Sequence, residues 1–174
     1  MYEVPKHIAS KLTKQQIDFL EEIQHYIDCQ FYYYGSIERI DYLPGKSDID
    51  IDIFTPNLYS TMFKLRQFLL IPETEIKGIK WRTRRPIVAT FNCHKIKFDN
   101  GIVKLELNIY DEQYKNTLLQ VRELKRNIPM YVLMLVYSIK VMYYNTNLIS
   151  NSHIAVFKKF VMGKLLDMED DYNI

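Results

Sequence analysis

Residues Asp48 to Phe54 read Asp-Ile-Asp-Ile-Asp-Ile-Phe, a strict alternation of carboxylate and branched apolar side chain. Successive side chains of a β-strand point to opposite faces, so a period of two specifies a strand with one buried face. Ile49, Ile51 and Ile53 share that face, and Asp48, Asp50 and Asp52 share the other. A helix would scatter both sets around its circumference. The rest of the chain must therefore build a sheet around this segment. Carboxylates two residues apart on one face stand roughly 7 Å from each other and repel. Such a row is either well solvated or holds a cation, and carboxylate oxygens are hard ligands suited to Mg²⁺ or Mn²⁺. The plainer alternative is an edge strand whose charged face guards against aggregation.

The neighbouring segments supply the other elements. Leu12, Ile17, Leu20, Ile23 and Ile27 recur at helical intervals and predict a helix over 8–28, with Thr13 as an internal N-cap. The aromatic run Phe31 to Tyr34 stops at Gly35 and reads as a short strand. Pro44-Gly45 marks the stretch from Ile37 to Ser47 as a loop. Leu58, Met62, Leu65, Phe68 and Leu69 predict a helix over 57–70, closed by Pro72. Strands are expected within 75–92. Asp99-Asn100-Gly101 then signals a hairpin, because Asn-Gly supplies the positive φ of a tight turn. In its second strand Val103, Leu105, Leu107 and Ile109 share one face, and Lys104, Glu106 and Asn108 the other. Helices are expected over 112–125, 129–144 and 152–166, with Pro129 in a first turn.

The pattern predicts an α+β fold: a mixed β-sheet with flanking helices and a short helical C-terminal section. The expected division is a core over 1–110 and a helical section over 111–174 packed on it. A chain of 174 residues is about one domain's worth, and 48% hydrophobic residues can fill a core, which excludes wholesale disorder. The apolar run Met130 to Ile139 is broken by Lys140. It falls short of the about 20 residues a bilayer span needs, so it reads as a buried core helix and no membrane partner is expected. Lys and Arg number 23 against 21 Asp and Glu, a net charge of +2 that excludes a strongly basic DNA-coating protein. Two cysteines, Cys29 and Cys93, exclude a disulfide framework and fit a reducing, cytoplasmic location. The polar N-terminus, with Pro5, shows no signal peptide.

Chemistry concentrates where Gly35-Ser36 precedes the acidic strand by eleven residues. A glycine after a strand lets backbone approach a ligand, and a serine hydroxyl with nearby N–H groups can hold phosphate oxygens. A phosphate cradle beside a metal-binding acidic strand suits a nucleoside triphosphate. The third acid of a metal cage must come from a neighbouring strand, and Glu106 is the candidate; the alternative is a solvent-facing acid paired with Lys95 or Lys97 across the hairpin.

Gly35-Ser36, then Ser47-Asp48-Ile49-Asp50-Ile51, then Leu105-Glu106-Leu107 resemble the polymerase-β-type nucleotidyltransferase superfamily. The resemblance implies that Asp48 and Asp50 bind two Mg²⁺ or Mn²⁺ ions, that Glu106 is the third ligand, and that Gly35 and Ser36 hold the triphosphate of an NTP, with ATP expected. The family usually has Asp at the third position, and Asp52 lies outside its signature, where it reads as solvated. Ile139-Lys140 and Ser152-His153 are similar to the helical part of poly(A) polymerase-like enzymes. By that likeness Lys140 reaches a terminal phosphate, and Ser152 and His153 face the triphosphate or base. The plainer alternatives are a snorkelling lysine, an N-cap and a surface ring. The basic cluster Lys80-Trp81-Arg82-Thr83-Arg84-Arg85 is the candidate acceptor contact, or else a solvated face.

The activity so implied is transfer of a nucleoside monophosphate from an NTP to an acceptor, an RNA 3′ end being favoured. A family X-type DNA repair polymerase and a toxin-like nucleotidylating enzyme use the same acids. A catalytically silent nucleotide- or RNA-binding subunit is the alternative of another class. The helical section is short for the family, so a partner chain supplying RNA surface is expected.

Overall fold

The structure, a computed structural model, describes residues 2–85, 87–146, 156, 160 and 169–172. Six strands make one sheet: β1 (Phe31–Tyr34), β2 (Ile49–Thr55), β3 (Lys77–Arg85), β4 (Ala89–Asp99), β5 (Lys104–Asp111) and β6 (Glu169–Tyr172). Their order is β1-β2-β5-β4-β3-β6. β2 and β5 run parallel, and the other neighbouring pairs are antiparallel. The helices are α1 (Lys6–Ala9), α2 (Lys14–Ile27), α3 (Leu58–Leu69), α4 (Lys115–Arg126) and α5 (Met130–Thr146). This is the mixed α+β architecture the hydrophobic pattern predicts.

Local chemistry sets the boundaries. The helix expected over 8–28 is two helices, because Thr13 caps a new N-terminus: its hydroxyl accepts from the Gln16 N–H, and the Gln16 side chain accepts from the Thr13 N–H. At the β4–β5 hairpin, Asp99 Oδ1 accepts from the Gly101 N–H at 2.9 Å, and Asn100 Oδ1 accepts from the N–H groups of Ile102 and Val103 at 3.0 and 2.9 Å. Gly101 itself has φ +81°.

The sheet is packed on both faces, and the two cores differ. One face carries Ile49, Ile51 and Ile53 of β2 with Leu105, Leu107 and Ile109 of β5, all nearly inaccessible. They pack with Leu20, Ile23 and Ile27 of α2 and with Leu65 and Leu69 of α3. Each such side chain contributes about 1.5–3 kcal/mol on burial. The opposite face holds a smaller aromatic core of Phe54, Trp81, Phe91 and Tyr110 under Leu118 and Val121 of α4. β2 lies between β1 and β5, so it is an interior strand and not the charged edge of the plainer alternative.

Two features depart from expectation. α5 is buried on one side only: Val132 and Leu133 are inside, but Met130, Tyr131 and Met134 are 59%, 69% and 61% exposed. No helix among the described residues is long and apolar enough to cross a membrane. The tail also returns a strand, β6, which pairs antiparallel with β3. Its sequence, Glu-Asp-Asp-Tyr, has little β-propensity, so pairing alone defines it. Most of the helix expected over 152–166 lies outside the described residues.

Candidate active site

β1 delivers the chain into Gly35, which opens a 3₁₀ turn over Gly35–Glu38 with φ +74°. β2 returns antiparallel beside it, with Tyr34 opposite Asp50. The Asp50 carboxylate lies directly on the glycine: a Cβ there would stand 2.2 Å from Asp50 Oδ2. Both the left-handed backbone and the close approach require glycine. Ser36, next in the turn, is buried.

The loop from Arg39 to Ser47 is held at several points. Lys11 donates to the carbonyl oxygens of Ile37 and Arg39 at 2.6 and 2.9 Å. Arg39 grips Asp41 through two nitrogens at 2.8 and 3.1 Å. Lys140 of α5 donates to the Asp41 carboxylate at 2.8 Å and to its carbonyl at 3.0 Å. Burial raises the Asp41 pKa, but Arg39 and then Lys140 outweigh burial and hold it below the ordinary carboxylate value. Ser47 Oγ accepts from the Leu43 N–H at 3.2 Å. Asp48 follows at the entrance to β2 and is exposed.

The strand register then sets three rows across the face shared with the aromatic core. Asp50 stands beside Glu106, and Glu106 beside Lys97. One step along lie Asp52, Asn108 and Lys95, and beyond them Phe54, Tyr110 and Cys93. The ammonium of Lys95 reaches back to Glu106 Oε1 at 2.5 Å, and that of Lys97 lies 3.5 Å from Oε2. Each oxygen of the expected third acid thus meets a lysine.

Asp52 is fully buried, which corrects the solvated reading. Arg122 of α4 binds it through Nε at 2.7 Å and a terminal nitrogen at 3.0 Å. Asn108 Nδ2 donates to Asp52 Oδ1 at 3.4 Å and to the Tyr34 hydroxyl at 2.5 Å. The guanidinium stacks on the Tyr34 ring, 3.6 Å from its centroid. Burial raises the Asp52 pKa against the opposing pull of Arg122 and Asn108, while on Arg122 the Asp52 carboxylate outweighs burial and holds the guanidinium well above its ordinary value. This strut ties α4 to the strand that carries Asp50.

The structure therefore gathers Gly35, Ser36, Asp48, Asp50 and Glu106 at one end of the sheet. Other candidates are placed differently. Lys140 has its anion inside the protein, on Asp41, where the sequence suggested a phosphate contact. Trp81 is 3% exposed and donates its Nε1–H to the Tyr110 hydroxyl at 3.3 Å, so its ring is core and cannot stack on a base. Lys80 and Arg82 are exposed, but they alternate with Trp81 along β3. They point away from Asp50 and Glu106, on the far face of the sheet. Lys80 lines a groove there of about 390 Å³, together with Asn92, His94 and Asp111. Arg84 and Arg85 are the last two residues of β3. Ser152 and His153 lie outside the described residues. Asp41 and Arg122 carried no sequence signal: their roles arise from contacts between residues 99 and 70 positions apart.

Asp48 and Asp50 offer the hard oxygens a divalent cation needs, and the Gly35 cradle leaves Asp50 room that a Cβ would fill. Glu106, bridged to two ammonium groups, does not complete that donor set as it stands. Among the described residues no group of three His, Cys, Asp or Glu side chains is placed to hold a metal together.

No family model and no curated protein matches the chain. Solved structures do resemble it. The Cid1 poly(U) polymerase with MgGTP bound aligns over 92% of this chain and 52% of its own, at 14% identity and a TM-score of 0.46. The GLD-2/RNP-8 complex aligns over 94% and 57%, at 12% identity and a TM-score of 0.42. Terminal uridylyl transferase 4 from Trypanosoma brucei with bound CTP aligns over 85% and 51%, at 14% identity and a TM-score of 0.40. The chain spans about half the length of each.

Proposed function

We propose that the chain is a nucleotidyltransferase that moves a nucleoside monophosphate from an NTP, ATP by preference, to the 3′ end of an RNA. The observation that carries this reading is the seat of Asp50: its carboxylate lies on the backbone of Gly35 and stands in register with Glu106. Two distant acids and a glycine turn meet there, as handling a triphosphate requires.

In this reading Gly35 and Ser36 present backbone and hydroxyl to the phosphate chain. A divalent cation held by Asp48 and Asp50 would supply the positive charge that offsets the triphosphate and the developing charge on its leaving group. The acceptor hydroxyl gives up its proton to solvent water, and its oxygen bonds to the α-phosphorus. The bond to the β-phosphate breaks, and pyrophosphate leaves with its electron pair. No covalent enzyme intermediate is needed. The chain's own part is positioning: the Asp41 clamp fixes the loop that delivers Asp48, and the Asp52–Arg122 strut fixes the strand under Asp50.

The test is extension of a labelled RNA oligonucleotide with each NTP in turn and Mg²⁺ or Mn²⁺, beside the Asp48→Asn/Asp50→Asn variant. Product that disappears in the variant supports the reading. No product with any NTP, on RNA or DNA, overturns it. The two ammonium groups on Glu106 favour a second reading, a catalytically silent subunit that binds RNA. RNA binding with no metal requirement and no extension would select it.

A further inference from the structure

Glu106 occupies the place of a third metal ligand, yet it already has cations of its own. Lys97 is its direct cross-strand neighbour on β4, and Lys95 is two residues before it on the same face. The backbone register therefore brings both lysines within side-chain reach of Glu106, Lys97 directly and Lys95 diagonally. Lys95 reaches one oxygen at 2.5 Å and Lys97 lies 3.5 Å from the other. Glu106 and Lys95 keep only 17% and 24% of their side-chain exposure, so little water competes for the closer contact. A metal ion arriving at Glu106 would have to displace an ammonium group tethered within reach, at high effective concentration. Asp50 lies across the row on β2, paired with Glu106 on the next strand, and Asp48 stands just before β2.

We infer that Lys95, backed by Lys97, is a built-in cation at Glu106, so that the chain takes one divalent ion with each nucleotide and not two. This rests on the nucleotidyltransferase reading. The ion sits with Asp48 and Asp50, and the two lysine ammonium groups at Glu106 together take the place of a second ion. Lys95 and Glu106 are thus positioning residues for the acidic cluster, and Glu106 is not a metal ligand.

Counting Mn²⁺ by electron paramagnetic resonance, in the presence of a non-hydrolysable ATP analogue, tests this without any turnover. The wild-type chain should bind one ion. Glu106→Gln, which preserves side-chain shape, should also bind one, more weakly, because the two ammonium groups beside the ion are then unneutralised. Lys95→Met/Lys97→Met should bind two, because it exposes Glu106, and Lys95→Arg should return to one. Two ions in the wild type falling to one in Glu106→Gln would overturn the inference and leave the nucleotidyltransferase reading standing. A double lysine variant that melts as cooperatively as the wild type but still binds one ion would also overturn it. No ion bound with nucleotide in the wild type would overturn both.

Discussion

Replacing Gly35 with alanine should expose the contact on which the site depends. Two separate costs follow from the geometry. The residue has φ +74°, and a non-glycine residue in the left-handed region costs roughly 1–2 kcal/mol. The added methyl would also meet Asp50 Oδ2 at 2.2 Å and Cγ at 3.1 Å, so the carboxylate must swing out by about an ångström; forced repacking of this kind costs about 1–3 kcal/mol. Asp50→Ala removes both of those atoms and leaves only Cβ, at 3.4 Å, an ordinary van der Waals distance. The second cost should therefore vanish in the Asp50→Ala background while the first remains. Urea denaturation of the four proteins of this cycle should give a coupling of about 1–3 kcal/mol, each kcal/mol being worth roughly 2–4 °C of melting temperature in a domain of this size. Strictly additive effects, within about 0.5 kcal/mol, would refute the close approach.

The other predictions concern the contacts around the site. Arg122→Met should destabilise the fold by about 3–5 kcal/mol by stranding Asp52, and Asp52→Leu/Arg122→Met should recover much of that loss; circular dichroism melts in urea decide it. Because Asp41 is held below its ordinary value of 3.8, its contribution is complete above that pH and is lost as pH falls through the depressed folded value. Asp41→Asn should therefore be less stable at neutral pH and show a flatter stability profile in acid, read from melting temperatures across a pH series. Lys80→Glu/Arg82→Glu should leave RNA extension within about twofold, since both side chains face away from Asp50; a tenfold loss would show that the acceptor crosses the far face. Thr13→Ala should cost about 1 kcal/mol, measured in urea, by removing the cap that starts α2.

The acidic strand was legible because its period is two, and its neighbours because their apolar faces are complete. The pairing of Asp50 with Glu106 was legible for a related reason: both lie on the polar side of alternating strands that a mixed sheet can bring together. Asp52 was misread because alternation gives the face of a side chain but not what covers it. Here the cover is Arg122, on a helix 70 positions away, and nothing in α4 distinguishes that arginine from a surface residue. The basic cluster was legible only in part. Lys80, Trp81 and Arg82 look like one patch as a string of letters, but in a strand they divide between two faces, and the indole went to the core. Lys95 and Lys97 were visible as partners for Glu106, and the structure shows the acid bound by both.

The parallel pairing of β2 with β5 has a consequence for biosynthesis. Asn108 meets Asp52 across 56 positions of chain, whereas β1 lies just upstream of β2. As the polypeptide leaves the ribosome, β2 can pair with β1 long before β5 exists, and its other edge stays open while the intervening segments are made. An open edge with an isoleucine face invites pairing with another nascent chain. During that interval Asp50 and Asp52 put like charges on every such strand, so two copies repel when they meet. Neutralising Asp50 alone, which leaves the Asp52–Arg122 pair intact, would then lower the soluble yield of newly made protein, a loss that appears during translation and is absent when the purified variant is refolded at high dilution.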